Sequence, residues 1–272
     1  TDEFIKPAIS EDFRGLEQDD GIIFINFRND RMKQLVRALT QAAFSEFERE
    51  FVVQNAITMT NYDDKFALSV LFEKEKIDNT LAELISKANL KQFHTAETEK
   101  YAHITFFLNG GKEEPVRGET RVLIPSPKVQ TYNEKPEMSA FEVLAEVKKG
   151  IERGEDFIVV NFANGDMVGH TGDFNAAVKA VEAVDKCLGE LVNAARAKNY
   201  GFIITSDHGN CEAMQDERGN LLTNHTTFDV FVFVEAKGVT KLKENLGLAN
   251  IAATTLKIMG LEKPKEMNEA LF

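Results

Sequence analysis

A chain of 272 residues with 43% hydrophobic and 28% charged residues has the length for one or two domains, a sizeable core and the balance of a water-soluble globular protein. A net charge of −12 excludes a general nucleic-acid or membrane-surface binder, so any anion site must be a local basic pocket. No apolar run approaches the ~20 residues of a membrane span, and the opening TDEFIKPAIS has neither the basic nor the apolar region of a signal peptide. Cys187 and Cys211 form no CxxC pair, and the expectation is a cytoplasmic protein with reduced, non-catalytic thiols.

Taken in order, Gly21–Phe27 (GIIFINF) reads as a buried strand. It is followed by a helix carrying Met32, Leu35, Val36, Leu39, Ala42 and Ala43 at three- and four-residue steps. A short strand is expected around Ala56–Met59. The charged stretch Glu73–Thr80 is the candidate domain connection, dividing the chain at about 1–75 and 76–272. A helix at Leu81–Ala88 opens the next unit, AETEKYAHITFFLNGG (96–111) ends in a helix-stopping double glycine, and RVLIPSPK (121–128) is a strand broken by prolines. Residues 138–154 form an amphipathic helix with Ser139 as N-cap and Gly154 beyond its end. A strand at Phe157–Phe162 precedes a long helix with Phe174, Ala177, Val178, Val181, Val184, Leu188 and Leu191 on its apolar face. A strand at Phe202–Ile204, an apolar run at Val230–Val234 and a helix near Asn250–Met259 complete the chain. Strands alternating with helices at this spacing imply an α/β protein with a mainly parallel sheet and helices on both faces.

Three of these apolar runs carry Asp or His at one end. The strand ending at Phe162 runs into ANGDMVGH, the strand ending at Ile204 runs into TSDHG, and His225 lies in TNHTT just before Val230–Val234. In open α/β sheets, ligands bind beyond the carboxyl ends of strands. Alone, Asp207-His208 is equally a capping turn, with Gly209 letting the chain turn, and His225 a satisfied loop histidine. Together the runs outweigh those readings. Asp166 and His170 are four apart, so a helical turn sets both on one face, and His225 completes a three-donor site with open positions. Asp207 and His208 offer two ligands to a second ion. Mixed carboxylate and imidazole without thiolate favours Mn²⁺ or Zn²⁺ over Ca²⁺ or Mg²⁺. Arg28 and Arg31, three apart at a strand-to-helix junction, suit bidentate anion binding at a helix N-terminus. RNDR fits a surface ion network with Asp30 equally well. Lys100, within ETEKY, reads first as a solvated lysine.

The segments DEFIKP, INFRNDR, TMTNYD, AETEKYAHITFFLNGG, RVLIPSPKVQTY, KPEMSAFEV, NFANGDMVGHTG, TSDHGN and NHTT occur from end to end of the chain. In that order they resemble the cofactor-independent (2,3-bisphosphoglycerate-independent) phosphoglycerate mutases, members of the alkaline-phosphatase-like metalloenzymes. The resemblance implies two divalent metals, usually manganese, and no 2,3-bisphosphoglycerate. Asp166, His170 and His225 match the ligands of one ion, and Asp207 and His208 match two ligands of the other. It also implies that Arg28 and Arg31, with Asp30 and Lys100, form the phosphoglycerate side of the site. The family moves phosphate to an enzyme serine and back to the other hydroxyl of glycerate, with the arginines holding the glycerate as it re-orients.

The family's Asp-Gly metal motif after the first strand and its serine in an Asn-Ser-Glu context are not among these residues. The chain therefore resembles the C-terminal half of the enzyme, expected to be inactive alone. Residues 1–75 would come from the transferase domain and 76–272 from the phosphatase-like domain, with the N-terminal half as missing partner. Gly165 stands where proline is usual, and Phe228-Asp229 where Asn-Pro is usual. A phosphopentomutase, phosphodiesterase or sulfatase with the same metal core is a second reading, which RNDR and AETEKY oppose. A non-catalytic metal-binding remnant is a third.

Overall fold

The structure is a computed structural model that describes residues 6–73 and 77–272. The chain divides into two compact units, Thr1–Lys76 and Ile77–Phe272. The expected connection at Glu73–Thr80 falls partly on residues 74–76, outside the described residues, as does most of DEFIKP.

In the first unit, β1 (Gly21–Phe24), β2 (Asn55–Thr58) and β3 (Ser69–Val70) form a parallel sheet in that order. β1 stops short of Phe27 because the Tyr62 hydroxyl donates to the Asn26 carbonyl at 2.5 Å, taking the chain out of the ladder. The helix that follows, α1 (Asp30–Thr40), buries Val36 and packs Met32 and Leu39 against Phe24, Val53, Ala56 and Tyr62. It ends before Ala42 and Ala43, and Leu35 is half exposed. The Arg49 guanidinium donates to the carbonyls of Ala38 and Gln41, satisfying acceptors that a longer helix would have used.

The second unit is built on β4 (Gln92–Glu97), a strand absent from the sequence reading. β4 pairs in parallel with β5 (Glu119–Ile124) on one side and β6 (Phe157–Asn161) on the other. Its two faces are covered by different helices, and β6 shows the alternation. Phe157 packs with Leu81, Ile85 and Leu256 of α2 (Leu81–Lys87) and α7 (Ile251–Ile258), whereas Ile158 and Val160 pack with Val143, Val147 and Ile151 of α4 (Ala140–Arg153). Thr80 caps α2 through its side chain, with Glu83 completing a capping box. Ser139 occupies the N-cap of α4, but its hydroxyl donates to the Pro125 carbonyl instead of capping; Gly154 ends the helix in the left-handed conformation.

Between β4 and β5 lie α3 (Thr98–Ala102) and a π-helical turn, His103–Phe107. β6 leads into the short α5 (Asn164–Gly169) and then into α6 (Phe174–Ala197), capped by the Asp173 carboxylate on the Ala176 N–H at 3.0 Å. The buried side of α6 holds part of the expected face, with Ala177 buried and Leu191 packed against the core, but not its N-terminal large residues. Phe174, Val178 and Val181 are exposed, and Ala176, Ala177, Ala180, Ala183 and Cys187 are buried. Small side chains let α5 and α4 approach closely. Val168 and Met214 pack on the Ala176, Ala177 and Ala180 stripe, while Ala140 and Leu144 meet Cys187.

β7 (Phe202–Thr205) pairs antiparallel with β8 (Val232–Glu235), with Thr205 opposite Val232. This pair is the antiparallel exception among the ladders of the described residues, within the mainly parallel arrangement the spacing implied. It has a consequence for function: the start of β8 lies beside the end of β7.

Candidate metal centre

Each cluster of Asp and His reaches the same place by a different route. α5 turns immediately after β6, and the His170 N–H donates to the Asp166 carbonyl at 3.0 Å, so both side chains leave one helical face as the spacing implied. Asp207 and His208 follow β7. His225 precedes β8, and the antiparallel pairing brings it alongside the β7 exit, where an isolated bridge joins Gly209 and Thr226.

Asp166, His170 and His225 offer donor atoms that all lie within 4.8 Å of one another. Asp166 Oδ1 is 3.0 Å from His170 Nε2 and 2.9 Å from His225 Nε2, and the two imidazole nitrogens are 3.2 Å apart. His170 Nδ1 faces the Thr223 carbonyl at 2.5 Å. A carbonyl only accepts, so Nδ1 carries a proton and Nε2 is the ring atom turned toward Asp166 and His225. Three lone-pair atoms at such separations need a proton or a cation among them. Neighbouring ligands around a divalent ion with bonds of about 2.0–2.2 Å stand roughly 3–3.5 Å apart. The donor set therefore fits a divalent metal, and its oxygen and nitrogen chemistry fits Mn²⁺, Zn²⁺ or a similar ion.

The other Asp166 oxygen accepts from the Lys100 ammonium. Burial works to raise the Asp166 carboxyl, but the Lys100 hydrogen bond and charge, with His170 and Asn210, outweigh it and hold the group at about 2. Asp166 is thus a carboxylate throughout the working pH range. Lys100 is only 5% exposed, so the reading of a solvated lysine is overturned: β4 delivers it into the interior through α3.

His208 sits at the edge of this group. Its Nε2 is 3.8 Å from Asp166 Oδ1 and 3.6 Å from Asp207 Oδ2, and its ring stacks on His225 with centroids 3.7 Å apart. The Asp207 side chain is 51% exposed. Asp207 and His208 are therefore adjacent to the three-donor cluster, but among the described residues they complete no further group of three such donors.

The residues that hold the donors in place were not legible. Asn210 is buried, and its amide nitrogen donates to Asp166 Oδ1 at 3.1 Å and to the Asp166 carbonyl at 3.3 Å. Glu212 accepts from the Asn210 N–H at 2.7 Å and from the Thr226 hydroxyl. Two glycines clear the space. A Cβ on Gly169 would lie 2.2 Å from Asn210 Oδ1, and one on Gly209 would lie 1.9 Å from Glu212 Oε1. Gly209 has no left-handed backbone, so its role is close approach and not the turn that the sequence implied. No periodicity or motif in GNCE marks these contacts. Cys211 and Cys187 are free thiols, both pushed up to about 11, chiefly by burial.

Arg28, Asp30 and Arg31 belong to the first unit. Arg28 is exposed in the loop after β1, and its N–H donates to Asn26 Oδ1 at 2.8 Å. Asn29 is the N-cap of α1, with Asp30 and the exposed Arg31 opening the helix. The sequence placed both arginines at this strand-to-helix junction, where the structure has them.

An α/β sheet whose strand exits carry a carboxylate–imidazole donor set is the architecture of a metalloenzyme, and residues 22–263 match the Metalloenzyme superfamily, to which the chain belongs. Its relatives are more particular. The chain is 75% identical over 272 residues to the 2,3-bisphosphoglycerate-independent phosphoglycerate mutase of Campylobacter jejuni and 56% identical over 273 residues to that of Helicobacter pylori. All of the chain is covered, and it spans 55% of the length of each relative. A crystal structure of Leishmania mexicana phosphoglycerate mutase at low cobalt concentration matches 94% of the chain and 51% of its own with a TM-score of 0.83 at 33% identity. The resemblance read from the sequence is thereby shown, as is the α/β fold. No helix among the described residues is long and apolar enough to cross a membrane.

Proposed function

We propose that this chain carries the metal-binding and glycerate-gripping parts of a phosphoglycerate mutase that interconverts 3-phosphoglycerate and 2-phosphoglycerate without 2,3-bisphosphoglycerate, in the cytoplasm, in glycolysis and gluconeogenesis. The observation that carries the reading is the convergence of Asp166, His170, His225 and Lys100 in a chain aligned along its full length with such enzymes. In this reading, residues 1–75 belong to the transferase domain and 76–272 to the phosphatase-like domain.

Asp166, His170 and His225 would hold one divalent ion, and Asp207 and His208 would give two ligands to a second, with Mn²⁺ favoured and Zn²⁺ admissible. Bound there, such ions supply positive charge to the phosphoryl oxygens and activate an attacking hydroxyl. Lys100 keeps Asp166 ionised and adds a buried cation beside the same site. Arg28 and Arg31 present guanidinium forks for the phosphate or carboxylate of the substrate, with Asp30 between them. No serine of this chain stands in the family's Asn-Ser-Glu context, so the nucleophile is contributed from outside these residues. The RNDR and AETEKY segments favour the mutase over a phosphopentomutase or phosphodiesterase with the same metal core.

The experiment is turnover of 3-phosphoglycerate by the purified 272-residue chain, alone and joined to the remaining length of the enzyme. No turnover alone and activity when joined is the expected result; turnover by the chain alone overturns the assignment of the nucleophile. In the joined enzyme, Arg31→Lys keeps the charge and loses the fork. It should lower kcat/KM by roughly 30- to 1,000-fold with unchanged metal content, the range for losing a desolvated bidentate contact. If Arg28→Lys and Arg31→Lys both stay within about threefold of the parent enzyme, the arginines are surface ion-network residues of the kind that contribute little.

A further inference from the structure

The segment Gly209–Glu212 touches every loop of the cluster while offering none of the three clustered donors. From Asn210, one arm reaches Asp166 through two hydrogen bonds whose acceptors, a carboxylate and a carbonyl, fix the orientation of the amide. From Glu212, the other arm reaches Thr226, the residue after His225. The Asn210 N–H bonds Glu212 Oε2 at 2.7 Å, so the arms are hydrogen-bonded to each other. Burial would raise the Glu212 carboxyl, but the Thr226 hydroxyl, backbone N–H groups and the charge of His208 hold it low, and the arm is a carboxylate with two acceptor oxygens for two donors.

We propose that Asn210 and Glu212 are positioning residues, a two-armed clasp that holds His225 at ligand spacing from Asp166. This rests on the metal reading given above. His225 is half exposed; its loop is tied to the β6 exit by the His170–Thr223 contact and to the β7 exit by the Gly209–Thr226 bridge, and the Glu212–Thr226 bond adds a side-chain link at the residue next to His225. Without the clasp, His225 is free to leave Asp166 and the face of His208, while His170 stays fixed by the Thr223 carbonyl.

The test uses the 272-residue chain and its variants Glu212→Ala, Thr226→Val and Thr226→Ser. Alanine removes both acceptors of the Glu212 arm; valine removes the Thr226 donor, and serine keeps it. Co²⁺ is titrated and followed by its visible absorption. Without metal, the ring protons of the five histidines are followed by NMR. Expected are a loss of Co²⁺ affinity of about tenfold in Glu212→Ala and Thr226→Val, an altered absorption band, and parent-like behaviour in Thr226→Ser. The double variant should be no weaker than either single one, because each breaks the same link. In the metal-free protein, the His208 and His225 ring resonances should move toward those of unstacked imidazole, with the unfolding midpoint unchanged. Unchanged ring resonances in Glu212→Ala and Thr226→Val overturn the clasp. Absence of Co²⁺ uptake by the parent chain overturns the metal reading instead, and the ring resonances still decide whether the clasp exists.

Discussion

At the exit of β6 the donors are sheltered and doubly held, whereas at the exit of β7 they are open and lightly held. Asp166 has a side chain 13% exposed and takes bonds from Lys100 and Asn210; His170 is oriented by the Thr223 carbonyl. Asp207 is half exposed, and His208 Nδ1 has only a 3.3 Å contact with the Gly209 carbonyl. The two exits offer similar residue types, so type alone does not decide which binds an ion well. Outer hydrogen bonds decide it, because a ligand already held in its binding orientation loses less freedom when the ion arrives. The inference is that the β6 donors with His225 form the stronger site in this chain.

Three substitutions break or sharpen that contrast. Asp166→Asn should have the largest effect, removing the one carboxylate on which Lys100, Asn210 and the imidazoles converge. Mn²⁺ binding measured by calorimetry should fall by about a hundredfold or more, beyond the usual cost of losing an outer-shell partner. His225→Ala should come next, weakening the dominant calorimetric site by more than about tenfold while moving the unfolding midpoint little, because the side chain is 48% exposed. His208→Ala should have the smallest effect, within about threefold in affinity, since what it loses is a ring stack and long contacts. Two equally tight sites in the parent chain, or a His208→Ala effect as large as that of His225→Ala, would remove the distinction between the exits.

Much of the site was legible because the relevant signals are local. An apolar run that stops at Asp or His identifies a strand exit, and a four-residue spacing identifies a shared helical face; Asp166 and His170 needed nothing more. The helix α4 was legible from its amphipathic periodicity and its end residues, Ser139 and Gly154. The long helix α6 was legible as a helix, but its interface only in part: Ala177 and Leu191 pack inward as read. Phe174, Val178 and Val181 carry the strongest apolar signal, but close packing of α5 selects the alanine stripe.

The central strand was the main omission. QFHTAE has no apolar run or alternation, yet every residue of β4 is buried. Its polar side chains are stable there because the tertiary structure supplies partners: Gln92 donates to the Ala82 carbonyl, His94 meets the Ile104 carbonyl of the π-helical turn, Thr95 donates to the Val122 carbonyl, and Ser126 donates to Glu97. By itself, then, the sequence determined the α/β class, most helices and the chemical types of donor at each strand end, all consequences of neighbouring residues. Only the tertiary structure decided that a polar strand could form the centre of the sheet, that Lys100 would be buried against Asp166, and that an antiparallel β8 would bring His225 back to the β6 exit. Those outcomes depend on hydrogen-bond partners and strand directions far away in the chain, and no local pattern encodes them.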